Sequence, residues 1–235
     1  MTAGGPLLVV DTATTTAVIA LGSPSGALIA ERSWEAGYRH GEELLARISQ
    51  LLDDEGVATT GLGGLVVGTG PGAFTGLRVG LATVKGLAYA LGLPVVGVPT
   101  GESLLAAARA AAATNGDHAP DLVLVQPAGP SDRVLSRTGE PSRILAGDAD
   151  PELRTGERLV AVDLDGREAP EAVALGRSAR SGLAAALLVA GAARFAAGTP
   201  DDLARLVPEY VTLPRGVLAA PPSDGGVAIT GGNPP

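Results

Sequence analysis

The feature that most limits the fold is a glycine-dense string, Gly70-Pro71-Gly72-Ala73-Phe74-Thr75-Gly76-Leu77-Arg78. It lies between an apolar run, Leu62 to Val67, and a stretch with helical periodicity from about Thr75 to Leu91. A short apolar run bounded by turn residues reads as a buried strand, and the periodic stretch reads as a helix. The glycines must therefore turn strand into helix within a few residues. A further strand, Val95 to Val98, follows Leu93-Pro94, and Pro99-Thr100 opens an alanine-rich helix to about Ala113.

The chain before this string agrees. Leu7-Leu8-Val9-Val10 is a buried strand ended by Asp11 and a threonine-rich turn. Ala17 to Leu21 is a second strand, Ser23-Pro24-Ser25-Gly26 a hairpin turn, and Ala27 to Trp34 a third strand. A helix from about Gly41 to Asp54 carries Leu44, Leu45, Ile48, Leu51 and Leu52 on one stripe. Glu42 and Glu43 suit the positive end of its dipole, and Gly56 is a stop. The order βββαβαβα specifies an α/β unit with a mixed sheet.

Asn115 to Pro120 is the expected domain boundary. Beyond it, Leu122 to Val125, Arg133 to Arg137 and Leu159 to Val162 read as strands, Ser178 to Ala197 as one long helix, and Glu209 to Leu213 as a last strand. From Pro214 proline and glycine dominate, and a disordered tail is expected. The expected organisation is a domain over 1–114, a smaller one over 115–213, and a tail over 214–235.

Composition narrows the partners. With 46% hydrophobic but only 3% aromatic residues, the core must be built from Val, Leu, Ile and Ala. The net charge is −8, from 25 acids and 17 bases. Nucleic-acid binding draws on Lys and Arg neutralising phosphates and on rings that stack bases, so this chain is poorly suited to hold RNA alone. No cysteine is available for a disulfide or thiolate metal site. The start lacks the basic and apolar regions of a signal peptide, and no stretch reaches the ~20 apolar residues of a membrane span. A soluble, cytoplasmic protein is expected.

Three places could carry chemistry. Asp11-Thr12-Ala13-Thr14 ends a strand with an acid and hydroxyls, like the first phosphate loop of the actin, Hsp70 and sugar-kinase superfamily. Those kinases usually place glycine where Ala13 stands, and the same side chains could simply satisfy turn donors. The string Gly70 to Arg78 could present N–H groups to an anion at a helix start. It has no Gly-Lys-Ser/Thr, so it is not a Walker loop. Alternatively, Gly76, Gly80, Thr83 and Leu87 form a small-residue face for close packing. His40, before the first helix, reads as a capping or interface residue rather than a ligand. His40 and His118 are the only histidines, so no His-x-x-x-His metal pair exists. No nucleophile elbow appears, and no catalytic residue is assigned.

Together these residues resemble the TsaB (YeaZ) family. The likeness runs through Val9 to Thr14, His40, Gly70 to Arg78 and Gly97-Val98-Pro99-Thr100, and returns at Pro208-Glu209-Tyr210-Val211-Thr212-Leu213-Pro214-Arg215. The Gly-Pro-Gly-Ala-Phe-Thr-Gly-Leu-Arg string is close to diagnostic, and Ala13 agrees with this family rather than with active kinases.

The resemblance implies a two-domain actin-like (RNase H-like) α/β fold, with mixed five-stranded sheets flanked by helices. It implies a non-catalytic subunit of the machinery for N6-threonylcarbamoyladenosine at position 37 of tRNA. Such a subunit pairs with a TsaD-type transferase and a TsaE-type ATPase and touches tRNA only through the complex; an apolar patch on helices 41–54 and 75–91, seldom left open on a soluble monomer, is expected to make the chain a homodimer when alone. It needs no cofactor or metal of its own, with ATP or ADP at most at the partner junction. Asp11, Thr12 and Thr14 would be a vestigial phosphate loop. The expected partner surface comprises His40, Leu45, Ile48, Leu52, Gly76, Gly80, Thr83, Val84 and Leu87, of which some could be core. The second half departs from the family pattern. Its Asp-Ala-Arg and Glu-Val-Tyr segments are replaced by Val125-Gln126-Pro127-Ala128-Gly129-Pro130 and Arg133-Val134-Leu135. Rival readings are an ATP-dependent phosphotransferase of the same fold, built on Asp11, and an inactive metallopeptidase-like paralogue.

Overall fold

The computed structural model describes residues 4–36, 40–114, 121–129 and 131–211. The expected boundary at Asn115 to Pro120, His118, and everything from Thr212 on, including the expected tail, lie outside the described residues.

The first sheet contains β1 (Leu7–Asp11), β2 (Thr16–Gly22), β3 (Leu28–Glu35), β4 (Gly64–Gly68) and β5 (Val95–Val98), in the order β3-β2-β1-β4-β5. β1 pairs antiparallel with β2 and parallel with β4, Val10 facing Ile19 on one side and Val67 on the other. Successive residues on a strand point to opposite faces. Leu8 and Val10 therefore join a cluster beneath α1 (His40–Asp54) and α2 (Phe74–Leu91), while Leu7 and Val9 join one on the opposite face. Both faces are covered, which is why β1 and β4 are apolar without alternation.

The second sheet has four strands among the described residues, where five were expected. They are β6 (Asp121–Pro127), β7 (Arg133–Arg137), β8 (Arg143–Leu145) and β9 (Glu157–Ala161), in the order β8-β7-β6-β9. Glu209 to Val211 is not a strand. Glu209 N–H instead makes a lone backbone bond to the Thr69 carbonyl, 2.8 Å. β8 is short and polar at its start, and no periodicity announced it.

The expected helix over 178–197 is two, α4 (Pro170–Ser181) and α5 (Leu183–Ala196), bent by 52° at Gly182. Glycine is the weakest helix former after proline. Gly182 also lies against α3 (Thr100–Thr114), where an added Cβ would come within 3.0 Å of Ala107 Cβ. The bend carries α5 away from the second sheet and onto the first. Leu187, Leu188 and Ala192 of α5 join Val9, Ala20 and Val66 in one cluster with Leu104 of α3, Leu124 of β6 and Val160 of β9. In packing, residues 183–196 go with the first sheet, although the sequence groups them with the second half. No single helix among the described residues is long and apolar enough to cross a membrane.

The second sheet has its own outer cluster, Val123, Val125, Leu135 and Leu145 with Ala172 and Val173 of α4. Its middle strand β7 is buried throughout despite an arginine at each end. Arg133 pairs with Glu168, and Arg137 pairs with Glu157 at 2.7 Å.

Candidate functional site

The C-terminal ends of β1, β4 and β5 meet where the threonine turn and the glycine string leave the sheet. Asp11 closes β1 with no exposed surface. Its Oδ2 accepts from Thr100 Oγ1 at 2.6 Å and its Oδ1 from Ala13 N at 2.9 Å. Thr100 Oγ1 in turn accepts from Gly70 N at 3.1 Å. Burial pushes the Asp11 carboxyl up from its usual range, against the lowering effect of the two donors. Gly68 is required at the end of β4, because any Cβ there would fall on the Asp11 carboxylate and Thr100 Oγ1.

The rest of the turn is committed internally. Thr12 Oγ1 donates to the Gly76 carbonyl at 2.7 Å, and Thr14 Oγ1 to the Thr16 carbonyl at 2.7 Å. The Ala13 carbonyl accepts from Ala73 N at 2.7 Å, bolting the turn to the start of α2. Thr15 reaches the other sheet. Its N–H and hydroxyl both donate to the carboxylate of Asp163, just after β9.

A cavity of about 350 Å³ opens beside this turn, lined among others by Ala13, Gly72, Phe74, Gln126, Asp163 and Tyr210. Tyr210 packs on Phe74 with ring centres 5.2 Å apart, and Arg78 lies 3.8 Å over the Phe74 ring and donates to Tyr210 Oη at 3.0 Å. The segment after α5 thereby forms part of the cavity wall.

Asp11, Thr12 and Thr14 lie in one turn, where their polar atoms hold the chain to itself. The expected partner surface divides and needs correction. Ile48, Leu52 and Val84 are buried in the cluster beneath the first sheet. Gly80 faces inward, since a Cβ there would strike Thr12 Oγ1, and Gly76 is buried over the same turn. The small-residue face is thus the seat of the threonine turn. Thr83 and Leu87 are half-buried, whereas Leu45 is 54% exposed. His40 begins α1, and its side chain lies outside the described residues. Sequence reasoning missed the hydroxyl of Thr100, although Pro99-Thr100 marked a helix start. It also missed Thr15 and Asp163, which no local pattern links, and Tyr89, an aromatic 85% exposed on α2.

Residues 34–212 match the family described as TsaD: tRNA N6-adenosine threonylcarbamoyltransferase. The chain belongs to this family. Relatives it resembles include TsaB proteins. It is 35% identical over 111 residues to the tRNA threonylcarbamoyladenosine biosynthesis protein TsaB of Escherichia coli, covering 47% of this chain and 46% of that protein. It is 34% identical over 117 residues to TsaB of Bacillus subtilis, covering 50% and 47%. The chain thus spans about half the length of these TsaB relatives. The structure of YeaZ from Pseudomonas aeruginosa superposes with a TM-score of 0.63 at 22% identity, over 88% of this chain and 99% of that one. This chain therefore shares the fold of that structure, a mixed α/β fold with helices flanking two mixed sheets.

Proposed function

We propose that this TsaB-family chain is a non-catalytic scaffold and activating subunit of the apparatus that makes N6-threonylcarbamoyladenosine at position 37 of tRNA. It works in the cytoplasm beside a TsaD-type transferase and a TsaE-type ATPase. The observation that carries the reading is the Asp11 turn. In a phosphotransferase of this fold the acid must face metal-bound phosphate. Here Asp11 has no exposed surface and is held by Thr100 and Ala13, while Thr12 and Thr14 are turned to backbone carbonyls. The turn acts as a joint between strands and helices. The chain needs no nucleotide of its own, and ATP or ADP belongs at the partner junction.

The partner surface in this reading is the outer side of α1 and α2, where Leu45 of α1 and Tyr89 of α2 are exposed. The same side serves a homodimer when the partner is absent. Reconstitution tests the proposal. Purified TsaD-type and TsaE-type subunits, the adenylate synthase and tRNA are combined with and without this chain, and modified adenosine is counted by mass spectrometry. Modification is expected only with the chain present, and none from the chain alone. Turnover of ATP by the isolated chain, or undiminished modification without it, rejects the reading.

A further inference from the structure

Beside the cavity, a carboxylate that follows the last strand of the second sheet rests on the threonine turn of the first. Asp163 Oδ2 accepts from Thr15 N at 2.7 Å, and its Oδ1 accepts from Thr15 Oγ1 at 2.8 Å. Arg180 of α4 donates to the same Oδ1 at 2.8 Å. Asp163 itself is in the left-handed region, φ 57°, a conformation uncommon outside glycine. Its side chain is only 6% exposed.

The three groups that meet this carboxylate share one character. A backbone N–H, a hydroxyl and a guanidinium are all donors, and two of them sit as a fork on a single residue. Bidentate, charge-assisted contacts of this kind are how proteins hold carboxylates and phosphates. We propose that Thr15 and Arg180 form an anion receptor and that Asp163 fills it as an internal anion, latching the two sheets and keeping free phosphates and carboxylates out of the cleft.

The tether decides the competition. A group already held in place acts at an effective concentration that a dilute free anion does not match. The receptor is therefore closed to phosphate groups in the folded chain, although its donors are those that would receive one. Neighbouring charge does not replace the plug, because Asp165 is engaged by Arg177 at 2.6 Å.

Asp163→Gly is the direct test, since glycine adopts φ 57° without strain and removes only the carboxylate. The Thr15 amide resonance of the folded full chain is followed while inorganic phosphate, and separately acetate, is added at constant ionic strength. In the wild type the resonance should not titrate. In Asp163→Gly it should shift saturably, with phosphate bound at least about tenfold more tightly than by the wild type, and Arg180→Gln in that background should remove the gain. Asp163→Ala, which also empties the receptor of its carboxylate, provides the same readout should the glycine variant not fold. Its Thr15 amide should move upfield even without added anion, as the carboxylate acceptor is lost. Equal titration of wild type and variant overturns the proposal, and so does a folded variant whose Thr15 amide responds to neither anion.

Discussion

The first sheet buries Leu7 to Val10 and Leu65 to Val67 between helices on both faces, and its one interior carboxylate, Asp11, is held by a hydroxyl and a backbone N–H. The second sheet is smaller and keeps two arginines inside a single strand, each against a glutamate. The two acids respond oppositely. Burial pushes Asp11 up, while the Arg137 guanidinium holds Glu157 down at about 2. An apolar layer deep enough to cover both faces can shut an acid away from cations. A thinner layer relies on ion pairs that are costly to break but contribute little over an apolar replacement.

The contrast is broken most severely at Arg137. Arg137→Ala leaves the half-buried Glu157 with only the Arg154 N–H at 2.7 Å and should cost at most about 3–5 kcal/mol in urea unfolding, the range for a broken buried pair. Replacing both partners, as in Arg137→Met with Glu157→Met, should recover most of that loss. A double variant as unstable as the single one would show that the pair itself stabilises the sheet.

In the first sheet the equivalent weak point is steric. Gly68→Ala puts a methyl group on the Asp11 carboxylate and should cost about 1–3 kcal/mol by the same measurement, as overpacking does. Wild-type stability would show that the Asp11 joint gives way freely.

The two acids should also respond to pH with opposite sign. Glu157 is depressed from 4.5 to about 2, so its contribution is present above pH 4.5 and is lost as pH falls through 2. The deficit of Glu157→Gln relative to wild type should therefore be largest at neutral pH and shrink on acidification. Asp11 is raised above 3.8, so its contribution is full below that pH and is lost as pH rises through its folded value. The deficit of Asp11→Asn should accordingly shrink as pH rises. Urea midpoints of both variants across pH 3 to 7, read against wild type, check these opposite slopes; parallel slopes would contradict the contrast.

The smallest expected effect on stability is at the surface. Leu45→Ser and Tyr89→Ser should change unfolding by no more than about 0.5 kcal/mol, the usual range for exposed sites, yet weaken binding to a TsaD-type subunit in a titration. Undiminished binding by the folded double variant would move the partner surface off α1 and α2.

How far the sequence could be read follows the same division. β1, β4 and β5 were legible because their apolar runs are unbroken, and α1 and α2 begin within a residue of where the periodicity put them. A periodic stripe shows that a helix has an apolar side, but not what covers it. Ile48, Leu52 and Val84 thus looked available and are core. β8 escaped notice because three residues carry no period, and the bend at Gly182 because an alanine-rich helix masks its own break. In the site, the turn at Asp11 was visible as a local pattern. The contact between Thr15 and Asp163, 148 residues apart, is made by tertiary packing alone.

One arrangement bears on how the chain is made. The layer over Val9, Ala20 and Val66 comes from α5, Leu183–Ala196, late in the sequence. Synthesis runs from the N-terminus, so the first five strands emerge long before that layer exists. The nascent first half must wait with one apolar face uncovered, a sticky intermediate rather than a finished unit. Premature termination between Asp121 and Ser181 would freeze it in that state, and its fate would be capture by a chaperone or precipitation.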